Sequence, residues 1–354
     1  MVKFGNRLVG DGHPCFVTYE AGPTHSGAES AKRLATLAAQ AGADAIKFQI
    51  LDPDRLVSDR SQMFEYEILV DRKTERTEKV AEPLYDLLAR RSLPQRDWRD
   101  VKRHCDGLGL AFFATVGFED EIAFLEEIGC HSIKIASADV NHFPLIRRAA
   151  RTGMCLQLDT GSASLGEVEA AVDVVRAAGN DNIIIHQCPS GYPARLESIN
   201  LNIIPTLKRM FGFPVAYSDH TPGWEMDIAA VSLGANLVEK TITEDRTTRS
   251  IEHIFSLEPG EMREFVVKIR SLETAFGTSR RILHEDELKK RARVRRSAHL
   301  VASVRTGMSL REAQVDFRRP GFGVGPDVYE SALDMRFRHD LPAGHVLKLS
   351  ALDG

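Results

Sequence analysis

Eight short apolar runs, each opening into polar residues and then into a helical pattern, limit the fold of this chain more than any other feature. The runs are 15–19, 45–50, 110–116, 132–136, 155–158, 182–186, 214–217 and 237–240. Between most of them lie amphipathic stretches such as 31–41, 120–128, 165–178 and 226–233, with apolar residues at helical spacing. In Ala-Gly-Ala-Asp-Ala-Ile-Lys-Phe a helix stops at Gly42 and a buried strand begins at once; Leu-Gly-Ala-Asn-Leu-Val-Glu-Lys repeats the device at Gly234. Eight strand–helix units over roughly 250 residues have the count and size of a (β/α)8 TIM barrel. A doubly wound open sheet is the alternative, but it calls for a Gly-x-Gly-x-x-Gly turn or another switch-point signature, and the sequence shows none.

The rest of the chain reads as additions to that barrel. Segment 52–91 is longer than a simple strand-to-helix connection and rich in charge. It is expected to be a long loop with helical pieces over the barrel mouth. A helix is expected from Pro259 to about Phe276. The division expected is a barrel domain over 1–280, a basic linker helix over 281–296, and a small β-rich domain over 297–354, with β-like runs at 298–304, 315–317 and 346–349. At 43% apolar residues, the 354-residue chain can build a large core. A net charge of −4 argues against a general nucleic-acid binder. The five cysteines are scattered, with no Cys-x-x-Cys pair, and read as reduced thiols. No apolar run approaches ~20 residues, so the expectation is a soluble cytoplasmic protein with no membrane partner.

In a barrel of this kind the C-terminal strand ends build the active site. Strand one ends in Glu20, with His25 beyond it. Strand two carries Lys47 and Gln49 on one side, since strand side chains alternate. Strand three ends near Thr115, strand four carries Lys134 with Ser137 and Asp139 beyond, and strand five ends at Asp159. Strand six runs from His186 into Cys188, Ser190 and Tyr192. Strand seven opens into Ser218, Asp219, His220 and Thr221, and strand eight carries Glu239, Lys240 and Thr241. A lysine in a strand of Ala, Ile and Phe is costly to bury without an anion. Lys47 and Lys134 share that setting. A carboxylate partner or a snorkelling stem would also explain each of them, but two at one barrel end favour a bound phosphate or carboxylate. His220, beside carboxylates, is a candidate ligand for a divalent metal.

Taken in order, Glu20, Lys47-Phe48-Gln49, Lys134-Ile135-Ala136-Ser137, Ser190-Gly191-Tyr192-Pro193, Ser218-Asp219-His220-Thr221 and Ser256-Leu257-Glu258-Pro259 resemble the N-acetylneuraminate (sialic acid) synthase family. Arg295-Arg296-Ser297 and Arg318 through Gly323 resemble that family's C-terminal antifreeze-like (SAF) domain. The resemblance implies a phosphoenolpyruvate-dependent transferase that forms a carbon–carbon bond. It would join phosphoenolpyruvate to the open-chain aldehyde of an N-acylated hexosamine, giving a nine-carbon 3-deoxy-2-keto acid and phosphate. It implies phosphoenolpyruvate on Lys47, Thr115, Lys134, Ser137, Ser218 and, where many members have Asn, Ser190. Glu20 would handle protons or position the attacking water, and Glu239 would be catalytic and face the sugar. Gln49, Asp139, Tyr192, Glu252 and Arg319 would also contact the sugar. His220 would hold a manganese or magnesium ion that polarises the aldehyde. A domain-swapped homodimer is implied as well, with Arg319 reaching the partner's barrel.

Two departures from the family pattern stand out. Thr241 occupies the place of the second histidine ligand, so the metal is expected to bind weakly or to recruit His253, His186 or Glu239. Asp139 stands where Glu is usual, which implies a changed sugar pocket, and relatives make legionaminic acid, pseudaminic acid and spore-coat sugars. Two other functions compete with the condensing enzyme. One is a pyruvate-type aldolase with Lys47 or Lys134 as Schiff-base nucleophile. The other is a sugar-binding barrel with a degenerate metal site.

Overall fold

The eight runs form parallel strands β1 (Phe16–Glu20), β2 (Ala45–Gln49), β3 (Ala111–Thr115), β4 (Ser132–Ile135), β5 (Cys155–Asp159), β6 (Ile183–Gln187), β7 (Val215–Asp219) and β8 (Leu237–Thr241). Each pairs with the next, and β8 returns to β1 with Thr241 opposite Glu20, closing the barrel. This is a computed structural model, and it describes residues 1–353. The chain divides after Gly277 into two units.

Strand alternation sorts the barrel residues into two environments. Outward positions such as Val17, Tyr19, Ile46, Phe48, Ile133 and Leu156 join the main core with Leu34, Ile122, Val168 and Phe265 of the surrounding helices. Inward positions split by height. Near the strand starts they are apolar: Phe16, Ala45, Phe113, Cys155, Ile184, Ala216 and Leu237. A short N-terminal hairpin, Val2–Phe4 against Arg7–Val9, caps this floor with Val2, Phe4 and Val9. Its three-residue strands are too short to show periodicity, and the sequence reading missed them. Near the strand ends the interior is polar, so the site sits on an apolar plug. At the first barrel helix, Ala28–Ala41, Gly42 takes a left-handed conformation (φ 89°), and its N–H caps the carbonyls of Ala38 and Ala39. β2 then starts three residues later.

Segment 52–91 corrects the expected loop. Its short helices Pro53–Leu56 and Leu84–Ala89 flank an antiparallel hairpin, Met63–Asp71 against Arg76–Pro83. The second strand, Arg-Thr-Glu-Lys-Val-Ala-Glu-Pro, has no apolar alternation because most of it faces solvent. Tyr66, Ile68, Leu87 and Ile251 make a small core of their own beside this hairpin.

The second unit has its own core, including Ala298, Leu300, Leu310, Phe337 and Leu347. Ser297–Leu300 pairs antiparallel with Val315–Arg318, and Arg336–Phe337 with Leu352–Asp353. Of the run expected at 346–349, only Val346 pairs, in a single bridge to His299. The basic helix Glu285–Val294 belongs to this unit and buries none of its residues. All five cysteines are buried free thiols. Among the described residues no helix is long and apolar enough to cross a membrane.

Candidate active site

The polar layer near the strand ends is built from inward side chains of adjacent strands. Glu239 on β8 lies between the two lysines. Its Oε1 accepts from Lys47 Nζ at 2.7 Å, Lys134 Nζ at 2.6 Å and Ser218 Oγ at 3.0 Å. Lys47 also pairs with Glu20, and Lys134 lies 3.0 Å from Asp159 Oδ1. Burial disfavours each charge, and here that cost is offset by opposite charges in contact. Burial acts to raise the Glu239 carboxyl, but Lys134 and Lys47 outweigh it and hold Glu239 well below the usual range. Burial raises Glu20 and Asp159 despite Lys47 and Lys134, and the charge of Glu239 adds to both rises. The carboxylate partners considered for the lysines are therefore present, and the cluster still opens onto a cavity of about 710 Å³ that both Lys47 and Glu239 line. Glu239 Oε2 has no hydrogen-bond partner among the described residues.

Apart from Arg319, the other expected residues line the same cavity. Gln49 and Thr115 stand opposite each other on β2 and β3. Ser137 Oγ accepts from Gly161 N at 3.0 Å, and Ser190 Oγ lies 2.7 Å from Ser162 Oγ. Asp139 is half-buried, and burial raises its carboxyl. Tyr192 packs on His220, ring centroids 4.7 Å apart. Glu252 sits in a left-handed backbone conformation (φ 72°), a strained state for a residue with a side chain. Burial, then repulsion from Glu20, pushes its carboxyl up to about 7. Gly22 belongs to the site by close approach. Its N–H bonds to Glu20 Oε1 at 2.5 Å, and a Cβ there would lie 2.6 Å from the Gln49 side chain.

The donor set does not assemble a divalent-metal site. Burial holds His220 down to about 4, so the ring is neutral near pH 7, and its Nδ1 lies 3.1 Å from Pro189 O. That bond puts the proton on Nδ1 and leaves the Nε2 lone pair free, the form in which imidazole ligates. A second imidazole is missing, and of the expected companions only Glu239, through Oε2, is free. Thr241 Oγ1 reaches Glu252 Oε2 at 3.4 Å, His253 Nδ1 is engaged by Thr243 Oγ1 at 2.7 Å, and His186 Nε2 meets Gln157 Oε1 at 2.7 Å. No group of three His, Cys, Asp or Glu among the described residues is placed to hold a metal. Arg319 is exposed in the second unit, just after its strand Val315–Arg318. The sequence reading gave no role to two charged residues of the cavity wall, Asp159 and Arg91. Asp159 had a signal, as a carboxylate ending a strand. Arg91 had none, because the charged 52–91 segment offers no period that singles it out.

Residues 34–281 match the NeuB family. N,N'-diacetyllegionaminic acid synthase of Legionella pneumophila is 33% identical over 348 residues, 97% of this chain and 96% of that protein. Human N-acetylneuraminate-9-phosphate synthase is 31% identical over 274 residues, 77% of this chain and 74% of that one. Among solved structures, an N-acetylneuraminic acid synthetase from Leptospira borgpetersenii, in complex with citrate, superposes with a TM-score of 0.70 at 30% identity, covering 82% of this chain and 94% of its own. The barrel and these relatives agree, and the chain belongs to the NeuB family.

Proposed function

We propose that this protein is a nonulosonic acid synthase that condenses phosphoenolpyruvate with an N-acylated hexosamine and releases phosphate. The observation that carries the reading is the pair of buried lysines, Lys47 and Lys134, meeting at Glu239 under an open cavity. Lys47, Lys134, Ser218, Thr115, Ser137 and Ser190 supply the ammonium and hydroxyl donors that a phosphate and a carboxylate require. In the resting site the lysines are neutralised by carboxylates. An arriving anion competes for them, and Asp159, already raised by burial, is the group suited to take up a proton as it binds. Glu20 then stands ready to take a proton from the water that adds to the phosphate-bearing carbon. Gln49, Asp139, Tyr192 and Glu252 face the acceptor.

The aldolase alternative needs a neutral lysine. Lys47 is instead held charged: burial opposes its charge, and Glu20 and Glu239 more than restore it. A divalent ion would find one prepared imidazole, His220, and no second, so no step is assigned to a metal. We further propose a cytosolic setting and a homodimer in which Arg319 serves the partner's barrel. The resemblance of Arg318 through Gly323 to the SAF pattern supports the dimer. The test of the central reading is a panel assay. Phosphoenolpyruvate with N-acyl and di-N-acyl hexoses should release phosphate with at least one acceptor and none without. Silence across the panel with intact, folded protein defeats the proposal.

A further inference from the structure

One cation at the barrel mouth lacks a counter-ion. Arg91 follows the short helix Leu84–Ala89 at the end of the inserted segment and is 6% exposed. Its Nε donates to Leu87 O at 3.1 Å, it forms no ion pair among the described residues, and its side chain lines the cavity. The fold fixes it there. Ser92 Oγ bonds to Leu51 O at 2.9 Å, tying the turn to the chain just beyond β2. Leu87 packs with Ile251, the residue before Glu252, so the insert and the loop after β8 meet in one small core. Burial works against the guanidinium's charge, and the carboxylates that support it most are Glu252, then Glu20.

An unpaired buried charge costs several kcal/mol. A fold that keeps one at a cavity wall leaves room for a ligand to supply the counter-charge. The other cations at this mouth are committed. Lys47 and Lys134 are held by carboxylates, His220 presents a lone pair, and Thr241 donates to Glu252. On the condensation reading above, on which this inference rests, negative charge develops on the acceptor's aldehyde oxygen, and Arg91 is the cation free to meet it.

We propose that Arg91 is a catalytic residue that hydrogen-bonds the acceptor's aldehyde oxygen and stabilises the alkoxide as the carbon–carbon bond forms. The π pair of the enol phosphate makes the new bond to the aldehyde carbon, and the carbonyl π pair moves to its oxygen. The guanidinium stays protonated throughout. Water gives its hydroxyl to the phosphate-bearing carbon and its proton, by way of Glu20, to the alkoxide. That carbon becomes the ketone as phosphate leaves, taking the remaining proton.

Two analogues of whichever panel acceptor binds best test this without turnover. The aldonic acid, with the aldehyde carbon oxidised to a carboxylate, places an anionic oxygen where the alkoxide forms; the alditol places a neutral hydroxyl. By calorimetry the full chain should prefer the acid roughly tenfold or more. Arg91→Leu should erase that preference, leave phosphoenolpyruvate affinity unchanged, and melt at or above the wild-type temperature, because it removes an unpaired buried charge. A purely structural arginine would lower the melting temperature. In turnover, Arg91→Leu should reduce kcat on the order of 100-fold with KM for phosphoenolpyruvate unchanged. Equal affinity for acid and alditol in the wild type, or a preference that survives Arg91→Leu, overturns the assignment. An Arg91-dependent preference without phosphate release supports the oxygen contact and defeats the condensation reading alone. If no sugar, acid or alditol binds, both fall.

Discussion

Lys134 and Lys240 are both sealed from solvent, at 1% and 0% exposed, and both are held by carboxylates on barrel strands, yet they face opposite ways. Lys240 points outward from β8 into the helix layer. It pairs with Asp219 and bonds to Thr221 O, with Asp227 at 3.8 Å. Asp219 is tied further by Tyr217 Oη at 3.0 Å and Thr221 Oγ1 at 2.8 Å. Burial, then the charge of Asp219, pushes Asp227 well above the carboxylate range, so that group stays neutral. The wall cluster thus has one cation against one anion. Lys134 points inward, where three carboxylates share two lysines beside a cavity. Burial of charge alone does not mark a site; a cluster that leaves acceptors free at a cavity does.

The sharpest way to break this comparison is Lys240→Met. It leaves Asp219 charged in an apolar layer and should cost about 3–5 kcal/mol of stability by denaturant unfolding. Adding Asp219→Asn should recover part of that loss. An unchanged unfolding midpoint in Lys240→Met would show that the wall cluster is not structural. Lys47→Ala and Lys134→Ala should behave differently. Each leaves the other lysine on Glu239 and opens to water, so stability should fall less, while phosphoenolpyruvate affinity drops by about 2–5 kcal/mol in calorimetry. Wild-type affinity in both variants would show that the lysines serve the barrel and not a ligand.

The same contrast explains what the sequence could disclose. The barrel strands were legible because their outward residues are apolar and each run ends in polar residues, so periodicity and punctuation agree. Lys47, Lys134 and Glu239 were legible as charges out of place in such runs. Their partnership was not, because 192 residues separate Lys47 from Glu239 and only barrel closure brings them together. Lys240 shows the same anomaly in sequence, and only its outward direction distinguishes it from Lys134. The hairpin in 52–91 escaped because its strands face solvent and lack alternation, and Arg91 was hidden with it.

Stability against pH should separate the two regions. Glu252 at the mouth is raised from 4.5 to about 7, so its folded state favours the proton. Its contribution is full below about pH 4.5 and is lost as pH rises through about 7, amounting to up to about 3 kcal/mol. In the wall, burial works to raise Asp219, but Lys240 and the hydrogen bonds hold it below its usual value. Its stabilisation is present above the unfolded value of 3.8 and is lost as pH falls through the lower folded value. Glu252→Gln should therefore make the fall in stability between pH 4.5 and 7 less steep, with the remainder belonging to other raised carboxyls, Asp227 and Glu121 among them, and leave the acid limb intact. If the slope near neutrality is the same in wild type and Glu252→Gln, the raised carboxyl belongs to another residue.

The smallest expected effect probes the mouth's one prepared ligand. His220 is neutral near pH 7 with Nε2 free, and Thr241 ends the adjacent strand β8. A hydroxyl engaged with Glu252 is a weak donor for a transition metal, and an imidazole is a strong one. Thr241→His should therefore tighten manganese or cobalt binding by about tenfold, or about 1.4 kcal/mol, read by calorimetry on the protein alone. Cobalt adds a second readout, since coordination by two imidazoles changes its visible spectrum. The substitution also frees the Glu252 carboxyl from its hydroxyl partner, so Thr241→Val is the control: it removes the hydroxyl without adding a ligand and should leave metal affinity at the wild-type level. Tightening that appears equally in Thr241→Val would trace the effect to Glu252 and not to the new imidazole. No tightening in Thr241→His would mean that His220 Nε2 does not point toward the end of β8. A histidine placed in the wall, at Thr221, should gain nothing, because Lys240 and Asp219 already bond to that residue.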